Sequence, residues 1–200
     1  MASIVALLSL SACADDLSDL LDVEEQELPR AGEKSESERG MDATVQVIDA
    51  SDAEAWSYLD LSTGAIVTPA TPEDSREWDL GFRRYLVALN GGVSGTGGVE
   101  VAVLRDAYEN IDRAPLDGYF TDLTDGADTD EDDDLALVAE GSAWYSYDSS
   151  MHTLSPNPRV YVIHAVEGDY FKLEFLDYYN AAGSAGYPSI RFDPVAAPGD

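Results

Sequence analysis

Side chains that ligate metals or exchange protons near neutral pH are few in this chain. Of its 200 residues, two are histidines, His152 and His164, one is a cysteine, Cys13, and three are methionines. Met151 and His152 stand side by side in a polar stretch ahead of Thr153-Leu154-Ser155-Pro156, whereas His164 closes the apolar run that begins at Val160. If that run is a strand, alternation puts His164 on the same side as Val160 and Val162. A His on such a face is more often a hydrogen-bonded structural residue than a ligand, and a His in a loop is a donor or a solvated bystander. The Gly-rich stretch from Asn90 to Gly98 lacks the Gly-Lys-Ser/Thr ending of a phosphate loop and precedes a strand instead of a helix. Ser94 is followed two residues later by Thr96 where a nucleophile elbow needs Gly. This stretch therefore reads as a turn or a tight backbone contact, and no activated nucleophile with a base in reach is proposed by any motif. The expectation is a protein that is not an enzyme.

Charge narrows the partners further. With 11 basic and 40 acidic residues the formal net charge is −29. Binding to nucleic acid through phosphate contacts is excluded, because Lys and Arg must displace the counterions. The densest run, Asp122 to Asp134, has no basic residue. Such carboxylates could take Ca²⁺ through oxygen, but the Asp/Asn spacing, the Gly and the terminal Glu of an EF-hand are missing. The plainer reading is a solvated loop.

Cys13 is best explained by its surroundings. The apolar run Ile4 to Leu10 is too short to span a bilayer as a helix, and it leads into Leu10-Ser11-Ala12-Cys13. This resembles a bacterial lipobox, in which the chain is cut before the cysteine and the thiol is acylated. No Lys or Arg precedes the run, a departure from the usual export signal. Residues 1–12 are thus expected to be a signal peptide and Cys13 a lipidation site, with acyl chains holding the protein to the membrane. From Ala14 to Gly40 the chain is strongly acidic and lacks aromatics. It cannot bury enough surface to offset its chain entropy. The expectation for 13–40 is a disordered tether, with a short helix over Leu17 to Leu28 as an option, and for 41–200 a single folded domain.

Period two dominates that domain. Tyr170-Phe171-Lys172-Leu173-Glu174-Phe175 puts Phe171, Leu173 and Phe175 on one face and the charges on the other. Glu167-Gly168-Asp169 reads as a hairpin turn joining it to Arg159–Ala165. Further strands are expected over Thr44–Ile48, Trp56–Leu61, Val99–Leu104, Leu135–Ala139, Trp144–Tyr147 and Ser189–Phe192, and one brief helix over Asp106–Arg113. The fold class is therefore all-β and antiparallel.

Several motifs recur in a telling order: Trp78-Asp79-Leu80-Gly81-Phe82-Arg83-Arg84-Tyr85, Asn90-Gly91-Gly92 with Ser94-Gly95, Asp117-Gly118-Tyr119, Trp144-Tyr145-Ser146-Tyr147, Arg159 to Ile163, Gly168 to Leu173, and Asp177-Tyr178-Tyr179. Together they resemble the HmuY family of bacterial lipoproteins over roughly Val45 to Phe192. The resemblance implies an all-β surface lipoprotein that binds haem for iron acquisition and passes it to an outer-membrane receptor of the TonB-dependent kind. It also implies axial donors in a loop before the Trp144 strand and shortly after it. The first of these loops has neither His nor Met here and carries the acidic run instead. Haem iron takes His, Met or both as axial donors, so the expected iron ligands are His152, Met151 and His164. Arg83, Arg84 and Arg191 are the expected partners for the propionates. The alternative is the same scaffold without haem ligation, binding something else such as Ca²⁺ or a protein.

Overall fold

A computed structural model of the chain describes residues 43–123 and 134–199. The signal segment, Cys13, the tether with its optional helix, and residues 124–133 of the acidic run lie outside the described residues.

Eleven strands make up the described fold, all paired antiparallel. They are β1 (Thr44–Val47), β2 (Ser57–Asp60), β3 (Ala65–Val67), β4 (Leu80–Arg83), β5 (Leu86–Leu89), β6 (Glu100–Leu104), β7 (Tyr145–Asp148), β8 (Thr153–Pro156), β9 (Val160–His164), β10 (Tyr170–Tyr179) and β11 (Ala185–Val195). A five-stranded sheet runs β1-β11-β10-β9-β6, a four-stranded sheet runs β3-β2-β4-β5, and β7 and β8 form a separate hairpin.

Alternation explains how the sheets meet. Phe171, Leu173 and Phe175 of β10 are buried, with Ile190 and Phe192 of β11 and Tyr161 and Ile163 of β9 beside them. They share one core with Leu59, Leu80, Phe82, Val87 and Leu89 of the smaller sheet. Trp144 enters this core just before the hairpin. Its ring stacks on Phe175 at 4.5 Å, and its indole N–H donates to the Tyr85 carbonyl at 2.9 Å. On the reverse face of the larger sheet Val160 and Val162 pack against Tyr108, Ile111 and Ala114.

Two expectations about local structure are corrected. Asp106–Arg113 is not a helix; only Tyr108–Asn110 makes a single 3-10 turn. Its buried residues, Tyr108, Ile111 and Ala114, recur every three, which one tight turn and an extended flank satisfy before Pro115. Leu135–Ala139 is not a strand. Leu135, Ala136 and Leu137 are all buried, and Val138 and Ala139 both donate to the Leu135 carbonyl. A short apolar run of this kind carries no periodicity to separate strand from turn.

The Gly-rich stretch is a turn built around the buried side chain of Asn90. Asn90 Nδ2 donates to the carbonyls of Ser75 and Trp78, and its Oδ1 accepts from Gly97 N–H. A Cβ at Gly92, where φ is +60°, would stand 1.7 Å from the Asp122 carbonyl oxygen. No other residue fits there.

Candidate functional site

The hairpin β7–β8 carries the exposed donors. Asp148 ends β7, and its Oδ1 accepts from the Ser150 hydroxyl at 2.6 Å and from the N–H groups of Ser150 and Met151 at 2.8 and 3.2 Å. These bonds, led by the Ser150 hydroxyl, hold the Asp148 carboxyl below its ordinary range. The turn they build leaves Met151 70% exposed and places His152 at φ +55°. That left-handed conformation costs a residue with a Cβ about 1 kcal/mol and is usually left to Gly or Asn. His152 nevertheless occupies it, with Nδ1 2.7 Å from the Tyr147 hydroxyl. Its Nε2 has no hydrogen-bond partner among the described residues.

Beside the hairpin lies a hollow of about 270 Å³ lined by Tyr85, Tyr145, Tyr147 and Leu154. Three of its four walls are phenol rings. The hairpin is tied to the body by Asn157, whose Nδ2 donates to the carbonyls of Ala143 and Tyr145, and by Leu154 N–H donating to the Tyr179 hydroxyl.

His164 is elsewhere. It pairs with Tyr170 at the first residue of β10, while Leu154 meets Tyr179 at the last. At about 3.3 Å per residue the strand separates the two ends by roughly 25–30 Å. His164 lies on the face of Val160 and Val162, as alternation requires, stacked flat on Tyr170 at 4.5 Å. Its Nδ1 is 4.0 Å from a Glu100 carboxylate oxygen. The three donors therefore do not converge; Met151 and His152 form one locus and His164 another.

None of the three arginines lines the hollow. Arg83 lies over the Trp56 ring at 4.5 Å. Arg84, at φ +54° in the turn between β4 and β5, donates through its backbone N–H to the Ala50 carbonyl and through Nη1 to the Ser51 carbonyl. Arg191 is held by Glu174 and, at 2.9 Å, by Glu109, over the Tyr108 ring. Burial weakens its charge, yet its bonds to the two carboxylates outweigh that and raise its affinity for the proton.

Asp122 belongs to the core and not to an ion site. Its carboxylate accepts from the N–H groups of Leu89 and Ala136, each at 2.8 Å. Burial pushes the group up to about 6 against the pull of these bonds and of Ser94. Asp79 plays the same part, accepting from Leu61 and Val166 N–H groups at 2.8 Å, and burial raises it too. The sequence reading of Asp122 as part of a solvated loop is thus corrected, since it is fully buried, and Asp79 was passed over although the motif Trp78-Asp79 was in view. No group of three or more metal-binding side chains occurs among the described residues. None of their helices is long and apolar enough to cross a membrane.

Comparison with known proteins agrees with this architecture. The fold is similar to that of the apo HmuY analog of Tannerella forsythia, at 15% identity and TM-score 0.59 over 76% of this chain and 95% of that one. A candidate HmuY-like heme binding protein from Bacteroides vulgatus matches at 23% identity and TM-score 0.53, covering 75% and 90%. A candidate lipoprotein from Bacteroides fragilis matches at 23% and 0.54, covering 75% and 88%. Among proteins of curated function there is no match. The family model for HmuY protein matches residues 52–192, and by that match the chain belongs to the HmuY family.

Proposed function

We propose that this protein binds haem on the open face of the β7–β8 hairpin, as a non-enzymatic lipoprotein anchored through Cys13 in the bacterial envelope. One observation carries the reading. A histidine is kept in a left-handed turn position, its Nδ1 engaged by Tyr147, which is one wall of the tyrosine-lined hollow. A strained, exposed residue whose turn would be easier with Gly points to a role for its side chain.

The donor set fits the ligand. To ligate iron, Nε2 must carry the lone pair, so the proton sits on Nδ1 and is donated to the Tyr147 oxygen. Met151 is the adjacent thioether and would serve as the alternative donor to the same iron, the identity of the ligand tuning the iron that haem itself would supply. The hollow is slightly smaller than the roughly 300–1,000 Å³ of enclosed ligand pockets, so it would cover part of a porphyrin and leave the rest open. Openness suits a carrier that must release its cargo to a second protein, here a TonB-dependent receptor of the outer membrane. With Arg83, Arg84 and Arg191 engaged elsewhere, the propionates would face solvent.

Titrating the purified protein with hemin tests this. A Soret shift is expected that His152→Ala with Met151→Ala abolishes and His164→Ala leaves intact. Absence of any shift, or one that survives loss of all three donors, overturns it. The alternative Ca²⁺ reading loses Asp122, whose oxygens are committed to backbone N–H groups.

A further inference from the structure

The reverse face of the larger sheet carries a second group of donors, far from the hairpin. Glu100, His164 and Tyr170 stand directly opposite one another across β6, β9 and β10, so all three side chains belong to one face. Tyr119 joins them from the segment whose Phe120 bridges to Val101 of β6. Its ring meets the His164 ring edge-on at 6.5 Å and the Tyr170 ring at 6.1 Å. His164 lies flat on Tyr170, with 9° between the planes, which fixes the imidazole with Nδ1 turned toward Glu100. Nδ1 and the Glu100 oxygen are 4.0 Å apart, too far for a hydrogen bond. Two donors bound to one ion at about 2.0–2.2 Å each stand up to about 4 Å apart, so the gap is as wide as two such bonds. An independent observation points the same way. The Tyr119 hydroxyl oxygen is buried and has no hydrogen-bond partner among the described residues. Buried polar groups are nearly always paired, and an orphan calls for a partner such as an ion. The Glu100 carboxylate is near enough to act on that hydroxyl electrostatically.

The donor types decide which ion fits. A carboxylate, a phenol and an imidazole include no sulfur, which disfavours Cu(I). Ca²⁺ and Mg²⁺ are held by oxygen alone. Zinc centres draw on Cys, His, Asp and Glu, and no three of these gather among the described residues. A phenol must give up its proton to become a ligand, and the cation best able to displace that proton is small and trivalent. Carboxylate and phenolate together then bring two negative charges to it, on a chain whose net charge of −29 concentrates cations. The His164 and Glu100 side chains are 33% and 47% exposed, so an ion can reach them from solvent. We infer that Glu100, Tyr119 and His164 form a site for ferric iron outside haem, with Tyr170 as the positioning residue beneath the imidazole. On binding, the Tyr119 O–H bond breaks, its oxygen ligates the iron, and the proton passes to water or to the chelator that delivered the ion. The iron stays ferric, and water or chelator fills its solvent side.

The test is titration of the purified, haem-free protein with ferric nitrilotriacetate, read independently of the hemin response. Ligation by phenolate should add a charge-transfer band in the visible that saturates at one iron per chain. Tyr119→Phe should abolish the band without lowering stability in urea, since the oxygen it removes bonds to nothing in the protein. Glu100→Gln with His164→Ala should abolish saturation. Tyr170→Leu should weaken iron binding and Tyr170→Phe, which keeps the stacked ring, should restore it. Met151→Ala with His152→Ala should leave the band in place, which separates this site from the hairpin. The inference is overturned if no visible band appears, if the band survives Tyr119→Phe, or if it still saturates in the Glu100→Gln, His164→Ala double variant.

Discussion

The Tyr147 hydroxyl and the Nδ1 of His152 lie 2.7 Å apart across the tip of the β7–β8 hairpin. In the ligand-free state either group can donate, because a neutral imidazole exists in two tautomers. Ligation at Nε2 removes that freedom and makes the phenol the acceptor. Tyr147→Phe should therefore weaken hemin binding by about tenfold, in line with other outer-shell partners of ligating histidines. It should also raise the midpoint potential of the bound iron, since a less basic imidazole stabilises the ferric state less. Spectroelectrochemistry of the variant checks both, and an unchanged potential would show that the contact is structural only.

His152→Gly separates ligation from folding. Relief of the left-handed strain at φ +55° is worth about 1 kcal/mol, and the extra freedom of Gly in the unfolded chain takes back about 0.4–1 kcal/mol. Denaturation in urea should place the variant within about 0.5 kcal/mol of the parent while its hemin-induced Soret shift is lost. A large loss of stability would mean that the imidazole holds the hairpin together.

Asp79 joins strand β2 to the turn that follows β9, through bonds to Leu61 and, 87 residues away, to Val166. Asp79→Ala leaves two buried N–H groups without an acceptor, each costing about 1–3 kcal/mol. We expect a loss of about 2–5 kcal/mol in the urea midpoint analysis, a severe change for a protein of ordinary stability. Exposed Asp148→Ala should cost far less.

Asp122 makes stability depend on pH in the direction opposite to the usual carboxylate. Its folded value is raised to about 6 from about 3.8, so the native state binds its proton more tightly than the unfolded chain. Its stabilising contribution is complete below about pH 4 and is lost as pH rises to about 6, an upper bound near 3 kcal/mol. Repulsion within a chain of net charge −29 acts in the same sense but is screened by salt. Thermal melts should show Tm rising as pH falls from 7 toward 5. In 1 M NaCl, about enough to shrink screening to 3 Å, the residual rise should shrink in Asp122→Asn, and Asp79, which burial also raises, should supply what remains.

Much of the architecture was legible because it is local. Phe171, Leu173 and Phe175 alternate with Lys172 and Glu174, and that period of two dictates which face of β10 is buried whatever lies opposite. Gly168, at φ +92°, marks the hairpin between β9 and β10 through the one residue that takes that conformation freely. The side of β9 to which His164 turns follows from the same parity. The recurring motifs placed the chain in its family from sequence alone, and the match over residues 52–192 agrees.

Tertiary structure decided what no local pattern encodes. Asp122 read as one carboxylate in a solvated acidic run, and it is buried because Leu89 and Ala136 bring their N–H groups to it from separate segments. Arg191 read as a cation open to an anionic ligand, and the sheet register sets it beside Glu174 while the 3-10 turn delivers Glu109. His152 and His164 stand twelve places apart in the chain, yet the length of β10 separates their loci. A strand's own alternation is written in neighbouring residues. Which strands meet, and which charges they neutralise, depends on contacts between segments that the sequence keeps far apart.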